Sequence, residues 1–270
     1  MNIDTTDLAR PLLATGMLAA LWIIEAHAPM FPGHHNRLSH AARNVAMASI
    51  NTALTAVFFA GLLLAASRWA SSEQLGLLHA IPLPGWARTL LAFALIDLWQ
   101  YFWHRLNHGI PLLWRFHAVH HSDGELDASS GIRFHAGEIA FSALARLALI
   151  PVLGLSVVDI ALYDLITTPI VLFHHGNIRL PSGADRVLRA VIVTPRMHWV
   201  HHSRLRVETD SNFASGFSGW DRIFGTFRLR SDPRTLELGL DGFDRCRSQT
   251  LAGMLASPAR RSMDRLRCRS

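Results

Sequence analysis

The 270-residue chain is half hydrophobic and only 17% charged, against roughly a quarter for ordinary soluble domains, and its mean hydropathy is positive at +0.22. Its 26 basic residues are all arginine and exceed the 20 acids, for a formal charge of +6 and a pI near 10.7. So basic a chain invites a nucleic-acid reading, but no basic stripe interleaved with aromatics is present to track a phosphate backbone. The composition argues against nucleic acid and for arginines that flank apolar spans and meet anionic headgroups.

In chain order, Asp4 and Asp7 precede Arg10, so the N-terminus lacks the positive region of a secretory signal and the apolar run that follows reads as a retained anchor. Spans are expected at about 12–28, 45–66 and 86–103, the first being short enough to lie in the interface. The apolar stretch 139–173 is interrupted by Pro151, Gly154 and Ser156, which predicts a hairpin of two helices. A hairpin brings its two ends, with His135 at one and His174 and His175 at the other, to one face. The expected architecture is an all-α integral membrane bundle of about four to five spans. A cytoplasmic histidine-rich helical cap is expected from 104–138 and 174–230.

No linker divides the chain, so residues 1–245 read as a single membrane domain and 246–270 as a basic tail. Cys246 and Cys268 fall in that tail without ligand spacing, as two unpaired thiols. Arg37 and Arg43 stand in the first loop without an acid, Arg68 is balanced by Glu73 in the next, and 13 arginines against 8 acids follow His202. The positive-inside rule then puts the first loop, the histidine region and the C-terminus in the cytoplasm. An all-arginine, alanine- and leucine-rich composition points to a bacterial inner membrane.

Eleven of the 16 histidines lie between His104 and His202. They read HRLNH at 104–108, HAVHH at 117–121, a single His135 in RFHAGE, HH at 174–175 and HWVHH at 198–202. Residues three and four apart share a helix face, so His104 and His108 form a pair, and His117, His120 and His121 a triplet, as do His198, His201 and His202. Pro111 suits a first helical position, Gly124 a C-terminal cap, and Thr194 with Pro195 an N-cap and first position. Gathering these rings without a cation is costly, because protonated imidazoles repel and buried unsatisfied nitrogens cost a few kcal/mol each. Neutral imidazole is the commonest metal ligand, and the ligand count fits two ions. His27, His34, His35, His40 and His79 read as structural or solvated.

The stretches DLWQYFWHRLNH, WRFHAVHHSD, RFHAGE, FHHGN, TPRMHWVHHS and WDRIFGTF, covering residues 97–227, closely resemble the membrane-bound fatty acid hydroxylase and sterol desaturase superfamily in order and content. The resemblance implies a helical membrane fold whose cytoplasmic cap carries a non-haem di-iron centre that activates O2. It maps ligand positions onto His104, His108, His117, His120, His121, His198, His201 and His202, with His174 rather than His175 as the better match in the HH pair. His135 matches a histidine of sterol-desaturase-like members. Ile170 stands where fatty acid hydroxylases carry another histidine, and this departure favours the sterol-desaturase-like branch. Asp97, Glu138, Asn177 and Asp221 are candidates to orient the imidazoles through their other ring nitrogen.

The expected chemistry is O2-dependent hydroxylation or desaturation at a C–H bond of a membrane lipid, with Trp99, Tyr101, Phe102, Trp103 and Trp114 as candidates to line the lipid path. No haem or flavin motif is present, so electrons must come from an external donor, a ferredoxin or cytochrome-type protein meeting Arg204, Arg206 and Arg228. Two rivals stand beside this reading. A zinc-dependent membrane hydrolase lacks a HExxH-type base, and a histidine-lined metal transporter or sensor would place ligands within the bilayer rather than at span ends.

Overall fold

The computed structural model describes residues 5–32, 36–243 and 248–259; Cys246, Cys268, His34 and His35 lie outside them. Among the described residues the chain is helical, without a strand. In order come α1 (Thr5–His27), α2 (Arg37–Leu54), a π-helical turn (Thr55–Phe59), α3 (Ala60–Ser72), α4 (Leu77–Ala80), α5 (Gly85–Gly109) and α6 (Pro111–His121). A 3-10 turn (Ala128–Ile132) leads to α7 (Ala136–Leu153), α8 (Val157–His175), α9 (Ser182–Leu188), α10 (Pro195–His201), α11 (Arg206–Thr209), α12 (Gly219–Ile223) and α13 (Leu251–Ala256).

Three stretches among the described residues are long and apolar enough to cross a membrane: Arg37–Ala80, Ala136–Leu153 and Val157–His175. Residues 12–27 form a shorter apolar helix. The expected span at 86–103 is helical throughout but is not among the three, because Arg88, Asp97 and Gln100 dilute its apolar residues. Instead α5 packs against α3, α7 and α8 through a buried cluster that includes Ala70, Ala92, Ile96, Ile150 and Tyr163.

The hairpin of α7 and α8 sets the distance between its histidine ends and its tip. Gly154 ends α7 in the left-handed region (φ 75°), where only glycine sits without strain. Ser156 then caps α8 reciprocally with Asp159, and Arg88 donates to both oxygens of Asp159 (3.1 and 3.0 Å) and to the Gly154 carbonyl (2.9 Å). The turn before α4 packs on this tip so closely that a Cβ on Gly76 (φ 89°) would lie 2.2 Å from the Gly154 nitrogen. With the tip fixed at one end, His135 and His175 come out at the other.

At that end short helices and loops make the cap. Pro111 opens α6 after an extended Ile110, folding α6 back along α5. The helix stops at His121, short of Gly124, which does not cap it. Thr194 and Pro195 open α10 as expected, although the Thr194 hydroxyl donates to Asp185 (2.7 Å) and accepts no N–H from its own helix. Residues 248–259, expected to belong to a separate tail, pack back on the cap: Met254 is buried with Met47 and Val119, and the Gln249 amide donates to the Ser122 carbonyl (2.8 Å).

Candidate metal centre

Nine imidazoles converge, and they sort into two groups. His104, His108, His117, His121 and His201 form one, and His120, His175, His198 and His202 the other; within each, one nitrogen per ring lies within 4.8 Å of all the rest. The helix period explains the division. At about 100° per residue, i+4 lies about 40° to one side of i and i+3 about 60° to the other, so i+3 and i+4 point about 100° apart and i pairs with the nearer i+4. In α6 the pair His117 and His121 joins the first group and His120 the second. In α10 and its last turn the pair His198 and His202 joins the second group and His201 the first. Each HxxHH helix therefore serves both groups, with the roles exchanged.

Within each group the Nε2 atoms face one another. His104 meets His117 at 3.1 Å and His201 at 3.0 Å, and His121 meets His117 and His108 at 3.1 Å. In the second group His175 meets His120 at 3.1 Å and His198 at 3.0 Å, and His198 meets His202 at 3.1 Å. The opposite nitrogens decide what these contacts are. Nδ1 of His104, His120, His175 and His201 lies against the carbonyls of Phe213 (2.8 Å), Arg133 (3.3 Å), Val171 (2.7 Å) and Ser211 (2.7 Å). A carbonyl only accepts, so each Nδ1 carries the proton and the neutral ring presents a bare lone pair at Nε2. His117 and His108 are held likewise by Glu138 (2.8 Å) and Asp210 (3.2 Å).

Lone pairs 3 Å apart repel unless a cation lies among them. Nitrogens bound about 2.1 Å from one ion at right angles stand about 3 Å apart, so the spacing fits metal coordination. Burial and the charge of neighbouring rings hold seven of these imidazoles neutral: His104 is pushed down to about 3, and His108, His120, His121, His198, His201 and His202 fall well below the ordinary histidine range. Neutral rings are the form that binds metal. Among the described residues, no thiol or carboxylate joins either group.

Two of the ten expected ligand positions lie outside these groups. His135 caps α7, its Nδ1 accepting from the Gly137 N–H (2.9 Å) and its Nε2 donating to the Leu255 carbonyl (3.1 Å), so both ring nitrogens are committed. His174 packs its ring on His198 with centroids 4.0 Å apart, and its neighbour His175 takes the place in the second group.

Of the four candidate supporting residues, only Glu138 is seen to hold an imidazole directly. Asp97 accepts from Tyr163 Oη (3.0 Å), Phe217 N (2.9 Å) and Trp220 Nε1 (2.8 Å), fastening the 216–220 loop to α5; Gly216 leaves room for it, since a Cβ there would come 2.5 Å from Oδ1. Asp221 accepts from the Phe213 and Ala214 N–H groups (2.7 and 3.0 Å), which fixes the peptide whose carbonyl holds His104. Asn177 ties the loop after α1, accepting from Met30 and Phe31 N–H (3.0 and 2.8 Å).

Sequence reasoning missed three parts of the site. Asp210 reaches His108 from a loop with no periodic signal. Arg133, fully buried, donates to the Val119 carbonyl, Ser122 Oγ and Gln249 Oε1 and so braces the end of α6. His40, read as an ordinary structural histidine, is buried between Asp123 (2.9 Å) and Asp127 (3.0 Å) and joins α2 to the segment after α6.

The chain matches the fatty acid hydroxylase family over residues 89–226, half of its length. It is 32% identical over 156 residues to an ornithine lipid hydroxylase of Rhizobium tropici, covering 57% of this chain and 46% of that protein. An alkylglycerol monooxygenase of Danio rerio is 32% identical over 147 residues (53% of this chain, 31% of that one), and the human cholesterol 25-hydroxylase 26% over 166 residues (60% and 56%). The chain thus spans between about a third and just over half the length of these relatives. No solved structure matches it.

Proposed function

The chain belongs to the fatty acid hydroxylase family, and from that premise we propose that it is an O2-dependent hydroxylase of a membrane lipid holding two iron ions. One ion is assigned to His104, His108, His117, His121 and His201, the other to His120, His175, His198 and His202. The reading is carried by the convergence of nine Nε2 lone pairs in two adjoining groups. All-nitrogen sites without thiolate suit a redox metal facing oxygen.

Bound iron supplies the redox chemistry: O2, a C–H bond, two electrons and two protons give an alcohol and water. The chain does the rest. Carbonyls and carboxylates behind the rings fix their tautomers and aim. The cap excludes water, and the apolar helices beneath it admit a lipid. In this proposal electrons come from a ferredoxin or cytochrome-type donor that meets the arginine-rich face on the cytoplasmic side of a bacterial inner membrane. Arg206 also donates to the His108 carbonyl and Arg204 to the Leu238 carbonyl, so charge reversal of the exposed Arg228 is the cleaner test of donor docking.

The test compares total lipids by mass spectrometry from cells expressing the chain and its His120→Ala variant. The expected result is a lipid heavier by one oxygen that disappears with the variant, while cellular metal uptake stays unchanged. Identical lipid profiles, or uptake that falls with the variant, would overturn the reading.

A further inference from the structure

On the far side of α10 from the imidazoles, a cavity of about 530 Å³ opens between the end of α1, the segment after α8, the start of α10 and the loop around Pro233. Its charge is one-sided. Arg179, Arg196 and Arg234 line it, Arg234 already paired with Asp232 (2.9 Å), against one lining acid, Asp185, whose two oxygens are taken by Thr194 (2.7 Å) and Arg189 (3.1 Å). Arg179 is exposed and makes no ion pair among the described residues. Arg196 spends Nη2 on the carbonyls of Arg230 and Ser231, and its Nε is buried without a partner.

Trp199 supplies the second observation. It lines the cavity, is 2% exposed, and its indole Nε1 is buried with no hydrogen-bond partner. Buried donors are ordinarily satisfied, so unpaired N–H groups on two residues of one cationic cavity mark a place built for an acceptor. An oxyanion suits guanidinium and indole donors together. The cavity also stands where two apolar helices end: Ala28 and Met30 follow α1, Ile178 follows α8, and Leu21, Leu172 and Ile178 share one buried cluster. On the membrane reading of the proposed function, on which this inference rests, such helix ends stand where a lipid headgroup meets its chains.

We propose that this cavity binds the anionic headgroup, phosphate or carboxylate, of a membrane lipid, with Arg179, Arg196 and Trp199 Nε1 as its donors. The site lies apart from the imidazoles, and its occupancy does not depend on turnover.

The experiment uses the metal-loaded full chain in detergent, with binding measured for short-chain phosphatidylglycerol, short-chain phosphatidylcholine and inorganic phosphate. Wild type is compared with Arg179→Gln and Arg196→Gln, with metal content and helicity measured for each. The expected result is phosphatidylglycerol binding stronger than either comparator and weakened roughly tenfold in each variant, the scale of one charge-assisted hydrogen bond. Because Arg196 also bonds the 230–231 backbone, a misfolded Arg196→Gln leaves the exposed Arg179→Gln to decide. Equal binding of the two lipids, or unchanged binding in Arg179→Gln, overturns the proposal. Inorganic phosphate binding as tightly as the anionic lipid makes the cavity a site for soluble anions and overturns the lipid assignment. Since binding is read without catalysis, its failure leaves the hydroxylase reading standing, and failure of that reading leaves the site intact.

Discussion

Replacing Glu138 with alanine removes the acceptor that fixes His117, and the structure sets the size of the effect. The two groups meet at 2.8 Å, both buried, with the carboxylate drawing on Nδ1 and sharpening the basicity of Nε2. A hydrogen bond to an ionised group contributes about 1.5–3 kcal/mol, and at about 1.4 kcal/mol per decade this is roughly tenfold to a hundredfold in metal affinity. Because His117 belongs to the first group, the loss should fall on one of the two ions. Glu138→Gln keeps an acceptor but loses the charge, and should fall between wild type and alanine. Chelator competition followed by metal analysis reads both affinities separately. Two ions held as tightly in Glu138→Ala as in wild type would refute the reasoning, and equal weakening of both would refute the division into two groups.

Other outcomes follow from particular contacts. His175→Ala should lower iron content to about one ion per chain while His174→Ala retains two; the reverse pattern would reassign the second group. Asp97→Ala strands one buried and two part-buried donors, the buried one at about 1–3 kcal/mol, so its melting temperature in detergent should fall clearly while both ions are retained, and an unchanged melting temperature would contradict the pinning role. Gly76→Ala puts a Cβ against the Gly154 nitrogen at a left-handed backbone position and should destabilise the fold by about 2 kcal/mol or more, read by thermal unfolding. For the metal-free protein, His104 titrates near about 3 when folded but near the ordinary ~6.5 when unfolded, so the unfolded chain takes up a proton that the fold refuses. Stability should be full above that upper value and fall as pH drops toward the lower one; a flat profile through the window would contradict the lowered His104 titration.

The i, i+3, i+4 spacing made the convergence of three histidine clusters legible, because it is a property of one helix at a time. The division into two groups was not, since it depends on how α5, α6, α8 and α10 rotate against one another. His174 and His175 are adjacent, about 100° apart on α8, and only packing decides which enters. One partner of His135, the Gly137 N–H, is local, but the Leu255 carbonyl that commits its other nitrogen lies 120 residues along the chain, so its exclusion from the metal groups was not legible. The hairpin was legible in Pro151, Gly154 and Ser156, residues that act locally. In α5 Asp97 stood out as an acid in an apolar helix, but its partners on α8 and the 216–220 loop lie 66 or more residues away.

The most direct test is an anomalous-scattering map at the iron edge from crystals of protein purified with its metal. Two peaks are expected, one within reach of Nε2 of His104, His108, His117, His121 and His201, the other of His120, His175, His198 and His202. A single peak, a peak against His135, or none in protein with intact helices would contradict the two-ion centre.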